Sequence, residues 1–128
     1  MRFWTAWRNE WSGTVHSITA PDRFVAAEQH YFLLLWRDEA GEARRFAEKA
    51  FGASGAKGGP AAHWAMLAGD AEFYLGRHDR ALEWYERARA IAESPQVLGR
   101  LSDAAFKLGR PEEEREFRER LYGRLVSK

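Results

Sequence analysis

The sequence predicts an all-α protein built from stacked antiparallel helical hairpins. The strongest observation is a helix–glycine–helix pattern around Gly76 that begins again around Gly109, 33 positions later. A repeat period near 34 residues is typical of helical-hairpin arrays. A further candidate turn at Gly41 precedes Gly76 by 35 positions and predicts an earlier hairpin. Apolar residues that recur every three or four positions on either side of these glycines complete the pattern. We therefore expect about three hairpins.

Composition places the chain among ordinary globular domains. It has 128 residues, of which 45% are hydrophobic and 30% are charged, and its formal net charge is +1. Such a length corresponds to one domain, and the near-neutral charge gives no general attraction for nucleic acid. The absence of cysteine excludes disulfides and thiolate metal ligands. We expect neither a signal peptide nor a membrane span, because apolar runs are short, and therefore predict a soluble, cytoplasmic protein.

Before the first hairpin, residues 1–20 form an N-terminal arm. Its residues 2–11 predict a short amphipathic helix, because Trp4, Trp7 and Trp11 recur at helical spacing. Ser12 and Gly13 end this segment. The tryptophan stripe leaves three alternatives open: it packs on the first hairpin, it anchors a partner or a second copy of the chain, or it dips into a membrane interface.

We divide the remainder into hairpins at 21–51, 60–94 and 96–126. The first helix of the first hairpin is apolar around most of its circumference, which predicts a position in the middle of the molecule. Gly41 is expected to end it. Four glycines within 52–59 predict a flexible connector to the second hairpin. In the last helix, Pro111 and three following glutamates mark the start, and the pairs Glu114–Arg118 and Glu116–Arg120 have the four-residue spacing of intrahelical ion pairs.

The second hairpin resembles the tetratricopeptide repeat (TPR). Gly69 falls at the small position of the first helix, Gly76 at the turn, Ala81 and Ala88 at the small positions of the second helix, and Tyr85 at its large aromatic position. The match departs from the family at Ala65 and Ala68, where Trp and Leu are usual. The third hairpin matches more weakly, and residues 1–20 lie outside the resemblance.

The resemblance implies that a partner binds along the concave face formed by the first helix of each hairpin. Mapped onto this chain, that face contains Leu35, Asp38, Met66, Asp70, Phe73, Asp103, Phe106 and Lys107. Family members that clamp a peptide C-terminus use Lys, Asn and Arg there, whereas this chain offers three aspartates. We therefore expect a basic partner segment with one apolar anchor, unless these aspartates are simply solvated surface residues.

No catalytic, cofactor-binding or metal-binding constellation is evident in the sequence. The four histidines are not paired at three- or four-residue spacing, and neither a GxxxxGK[ST] phosphate loop nor an HExxH motif occurs. Glu28, His30 and Tyr31 lie within one helical turn and could line a ligand pocket, but one helix supplies no second acid, base or nucleophile. RNA binding is disfavoured by the near-neutral charge.

The sequence thus predicts a non-enzymatic protein–protein interaction module that binds another protein or a peptide on its concave face. The alternative is a self-assembling scaffold, a homodimer formed through the aromatic-rich N-terminal end. No cofactor, nucleic-acid partner or membrane partner is expected.

Overall fold

A computed structural model describes residues 20–126, and describes side chains from Arg23 onward. The predicted N-terminal helix at residues 2–11 and nearly all of the 1–20 arm lie outside the described residues. The all-α prediction is confirmed, with adjacent helices packed against each other. The described helices are α1 (Ala20–Trp36), α2 (Ala40–Ala53), α3 (Gly58–Tyr74), α4 (His78–Ile91), α5 (Pro95–Lys107) and α6 (Pro111–Val126).

Each hairpin turns through one residue in the left-handed conformation. These residues are Asp38, Gly76 and Gly109, with φ of 63°, 82° and 71°. In each turn the following amide donates to the carbonyl five positions back, and the left-handed residue's own amide donates three positions back. This is the hydrogen-bond pattern of a Schellman C-cap, which satisfies carbonyls left free at a helix end.

The expected first turn at Gly41 is wrong, because Gly41 lies in the first turn of α2. Asp38 occupies the left-handed position, which aspartate tolerates better than most residues that carry a Cβ. The first two turns are therefore 38 positions apart, not 35. α3 is four residues longer than α5, and the link before it is one residue longer than the next link, which accounts for the difference from the later spacing of 33.

The glycine-rich connector is shorter than the sequence suggests. α2 continues to Ala53 and α3 begins at Gly58, which leaves only residues 54–57 between them. The Ser54 hydroxyl donates to the Phe51 carbonyl at 2.6 Å, and Gly55, Ala56 and Gly58 have positive φ. The next link is a short turn in which the Ser94 hydroxyl caps α5 by accepting from the Val97 amide at 3.2 Å.

Side-chain contacts link equivalent helices of successive hairpins. From α1 to α3, Phe24 contacts Trp64 and, further along both helices, the Tyr31 hydroxyl donates to the Leu67 carbonyl at 2.5 Å. From α4 toward α6, the Arg89 guanidinium lies 5.6 Å from the Phe117 ring centroid. This order is the stacked arrangement that the repeat pattern predicts.

The central element is α3, not α1. One core cluster joins α1, α2 and α3 through residues such as Tyr31, Phe46 and Leu67, and a second joins α3 to α6 through residues such as Tyr85 and Leu101. α3 contributes to both, with Trp64 in the first and Ala65 in the second. Among the described helices α1 lies at one end and contributes to the first core only, so the expectation that it lies in the middle is wrong. Its residues Val25, Phe32, Leu33 and Trp36 are exposed.

The approach of α4 to α3 depends on Gly69. A Cβ at this position would lie 2.5 Å from Cε1 of Tyr85 and 3.2 Å from the Ala81 carbonyl oxygen. Real Cβ atoms essentially never approach another atom to 2.5 Å, so the observed position of the Tyr85 ring requires glycine here. Small residues on one helix that admit an aromatic ring from the next are a general way to bring two helices close together.

The last helix packs through one stripe and is held by ion pairs. Phe117 is buried and Leu121 partly buried in the second core, whereas Leu125 is exposed. The predicted Glu114–Arg118 pair forms, but Arg120 donates instead to Glu93 at 2.7 Å. Within residues 20–126, no helix is both long enough and apolar enough to cross a bilayer.

Candidate functional site

An open groove of about 490 Å³ lies between α3 and α5. Because these are the first helices of successive hairpins, the groove follows the face on which the sequence predicts partner binding. Tyr85 of α4 lies at its base, and the groove is lined by Asp70, Phe73, Tyr74, Tyr85, Pro95, Gln96, Gly99, Arg100 and Asp103.

Asp70 is the centre of a hydrogen-bond network in the groove. Its Oδ1 accepts from the Tyr85 hydroxyl at 2.6 Å and from Nε of Arg100 at 2.8 Å, while Nε lies 3.1 Å from Oδ2. A second Arg100 nitrogen, Nη1, donates to the Gln96 carbonyl at 3.4 Å. The network joins three helices, and the arginine neutralises the aspartate.

Burial and charge keep the tyrosine of this network protonated. Burial, followed by the negative charge of Asp70, raises the pKa of the Tyr85 hydroxyl far above its ordinary range. For Arg100, burial lowers the pKa of the guanidinium, but the hydrogen bond and charge of Asp70 outweigh it and the net shift is upward. Tyr85 therefore remains a hydrogen-bond donor and Arg100 a cation throughout the physiological pH range.

Beyond this network, the groove presents a free carboxylate beside aromatic surface. Asp103 is exposed, and its carboxylate has no hydrogen bond or ion pair with any side chain in residues 23–126. Tyr74 is 61% exposed, and Phe73 is partly buried against the second core. On α5, Phe106 lies one turn beyond Asp103 and is 63% exposed. An unpaired negative charge thus lies next to side chains that can bury an apolar group.

The structure brings together only part of the predicted set. Asp70, Phe73 and Asp103 line the groove, while Phe106 and Lys107 are exposed just outside it at the end of α5. Met66 is 8% exposed and belongs to the second core, so it offers no surface to a partner.

The two remaining predicted residues belong to the first hairpin and do not line the groove. Leu35 packs on the first core, and Asp38 is the left-handed turn residue. With the turns aligned, the residue of α1 that corresponds to Asp70 and Asp103 is Phe32. The expected row of three aspartates is therefore a row of two.

Sequence reasoning missed Arg100, Tyr74 and Gln96 as groove residues. Arg100 forms its ion pair across 30 positions in sequence, and no local spacing rule detects such a pair. Tyr74 carried a usable signal, because it lies one helical turn after Asp70 and thus on the same face of α3.

Two polar residues of α1, Glu28 and His30, pack against α3 and α2. Glu28 and Nε2 of His63 are 2.6 Å apart, and the His30 ring lies 4.7 Å from the Phe46 ring. Burial, followed by the positive charge of Arg37, lowers the pKa of His30. Of the three residues considered for a ligand pocket, Glu28 and His30 make these contacts, and Tyr31 is buried with its hydroxyl donating to the Leu67 carbonyl. Among the described residues, no group of three or more His, Asp or Glu is placed to hold a metal ion.

A scan against protein-family models and a search of curated proteins both found no match. Function is therefore inferred from the groove and from the exposed surfaces of the chain.

Proposed function

We propose that the chain is a TPR-like protein-interaction module that binds a segment of a partner protein in the groove between α3 and α5. The observation that supports this proposal is the unpaired Asp103 carboxylate beside exposed aromatic surface. A groove of about 490 Å³ has room for one or two side chains, not for a folded domain. The partner therefore contributes a short segment.

The charges of the groove favour a basic partner segment. Asp70 is already neutralised by Arg100, so Asp103 is the lining carboxylate that is available to a ligand. A Lys or Arg of the partner would pair with it, and an adjacent apolar side chain would pack on Phe73 and Tyr74. The aromatic contacts would supply most of the affinity, while the charge would set orientation and specificity.

The same charges argue against capture of a peptide C-terminus. A terminal carboxylate needs cationic donors that are not already paired. Nε of Arg100 is held by Asp70, and the groove lining contains two aspartates but no second cation. Binding of a free carboxylate would place a third negative charge beside Asp103, which costs free energy.

We further propose that the module acts without catalysing a reaction and that it works in the cytoplasm.

The experiment is selection of a random-peptide phage library on the immobilised full chain, followed by affinity measurement by fluorescence anisotropy. We expect selected peptides to share a Lys or Arg next to an aromatic or aliphatic residue. Asp103→Asn should weaken their binding about fivefold, the equivalent of an exposed ion pair of about 1 kcal/mol. Tyr74→Ala should weaken it further by removing apolar contact.

The matched control is Asp79→Asn, the same chemical change at an exposed position of α4 away from the groove. It should leave peptide affinity unchanged. Failure to select any peptide, or equal effects of the two Asp→Asn changes, would contradict the proposal. Higher salt should weaken binding to the native chain and have less effect on the Asp103→Asn variant, because the ion pair is screened.

A further inference from the structure

A contiguous apolar face of α1 is exposed. Val25 is 51% exposed, Phe32 44%, Leu33 41% and Trp36 84%. The other three residues lie seven, eight and eleven positions after Val25, so all four lie along one side of the helix. A row of four large apolar side chains is unlike single exposed hydrophobic residues, which are common, and it indicates a surface that another element covers.

The repeat alignment identifies what kind of element belongs on this face. With Asp38 aligned to Gly76, the counterparts of Val25, Gln29 and Leu33 in α3 are His63, Leu67 and Ala71. All three face the preceding hairpin: His63 approaches Glu28, the Leu67 carbonyl accepts from Tyr31, and Ala71 lies in the first core. The exposed side of α1 is therefore the side on which a preceding helix would pack.

We propose that residues 2–11 of the same chain pack on the exposed face of α1 and complete that end of the array. These residues lie outside the described part of the chain, but their sequence carries the matching pattern. Trp4, Trp7 and Trp11 recur at helical spacing and would form an apolar stripe that can cover part of this face. Three tryptophans together can bury several hundred Å² of apolar surface.

The connection is long enough for this arrangement. α1 has 17 residues, which corresponds to a length of about 25 Å. The eight residues from Ser12 to Thr19 can span up to about 27 Å when extended, so the segment can lie against any part of α1. An antiparallel arrangement needs far less than this reach.

The tether also favours residues 2–11 over a second copy of the chain. A segment attached through a short link has an effective concentration in the millimolar range, whereas a second copy is present only at its total concentration. A stable dimer would also need about 800 Å² from each partner, more than one stripe of four side chains offers. The homodimer predicted from sequence is thus the competing outcome of the test.

The experiment uses the absence of native cysteine. A nitroxide spin label is attached to the full chain at Gln29→Cys, in the middle of the exposed face, and the indole N–H signals of the tryptophans are recorded by NMR. We expect the signals of Trp4, Trp7 and Trp11 to lose most of their intensity. The control label at Arg115→Cys, on the exposed side of α6, should leave these three signals intact.

A mixture of isotope-labelled chain without a spin label and unlabelled chain with the label at Gln29→Cys distinguishes the two occupants. Signal loss in the chain that itself carries the spin label, without loss in the mixed sample, supports the proposal. Loss in the mixed sample shows that a second copy covers the face and overturns it. Absence of signal loss in both samples also overturns it.

A second variant tests the apolar nature of the contact. Leu33→Lys places a charge on the face at a partly exposed position, so the fold measured by circular dichroism should persist. When Leu33→Lys is combined with the spin label at Gln29→Cys, the three indole signals should regain their intensity. Iodide should also quench the tryptophan fluorescence of the Leu33→Lys variant more strongly. Retained signal loss would contradict an apolar contact at this face.

Discussion

Single residues fix the distances between helices in this molecule, and Gly69 is the clearest case. Its hydrogen occupies space that a methyl group would share with the Tyr85 ring. The ring has little freedom to move aside, because its hydroxyl is bonded to Asp70. The spacing of α3 and α4 therefore depends on a residue that has no side chain.

We predict that Gly69→Ala destabilises the protein. Overpacking costs about 1–3 kcal/mol, while the higher helix propensity of alanine offsets about 1 kcal/mol, so the free energy of unfolding should fall by up to about 2 kcal/mol. Urea denaturation followed by circular dichroism measures this change. The control is Gly123→Ala in α6, where the added Cβ meets nothing within 4 Å and stability should rise slightly. A Gly69→Ala variant that gains as much stability as the Gly123→Ala control would refute the packing argument.

At the scale of elements, α6 is held to the rest of the array by Glu93, which lies between α4 and α5. Its carboxylate accepts from Nε of Arg120 at 2.7 Å and from Arg124 at 3.0 Å, and it lies 3.3 Å from Nε of Arg89. The hydrogen bond from Arg120, opposed in part by desolvation and supplemented by Arg124, lowers the pKa of Glu93 below its ordinary value of about 4.5.

The lowered pKa predicts an acid-sensitive contribution to stability. The contribution is present above the unfolded-state pKa and is lost as pH falls through the lower folded-state pKa, because the unfolded chain binds the proton more tightly. Glu93→Gln should lower stability by about 0.5–1 kcal/mol at pH 7, and its difference from the native chain should shrink below about pH 4.

Urea titrations across this pH range measure the effect of Glu93. Glu119→Gln on the exposed side of α6 is the control, because no ion pair of Glu119 is observed among the described residues. It should change stability little at any pH. A Glu93→Gln effect that is independent of pH would show that the ion pairs do not stabilise α6.

The elements were largely predictable from the sequence, and the errors have physical causes. Gly76 and Gly109 located two turns because glycine tolerates positive φ, but the first turn was assigned to Gly41 because Asp38 adopts the same conformation with a side chain. Asp70 and Asp103, which the family resemblance assigns to one face, both line the groove. Arg100 could not be predicted in the same way, because its pairing with Asp70 depends on how two helices lie in space.

At the scale of the whole molecule, the two core clusters share α3 and should therefore unfold together. Ten residues of α3 are buried, and they face α1 and α2 on one side and α4 and α5 on the other. Separation of the first hairpin from the rest would expose one side of α3 to water. The free energy of that exposure couples the hairpins.

We predict a single cooperative transition. Phe46→Leu in the first core and Leu101→Val in the second should each cost about 1 kcal/mol. Each should raise the exchange rates of the most protected amides by the same factor in both halves of the molecule, as hydrogen exchange would show. Faster exchange confined to α5 and α6 in the Leu101→Val variant would mean that the hairpins open independently.

The position taken by Gly69 has a further consequence when the three turns are aligned. The corresponding residues are Tyr31 in α1 and Ser102 in α5: a buried phenol that reaches the next hairpin, a glycine that admits an aromatic ring, and a buried hydroxyl. The same position of the repeat therefore carries three different side chains, and each packs only with its own neighbouring residues. The hairpins have the same topology but are not interchangeable. If their order were changed or one were duplicated, the packing surfaces between neighbouring hairpins would not be complementary.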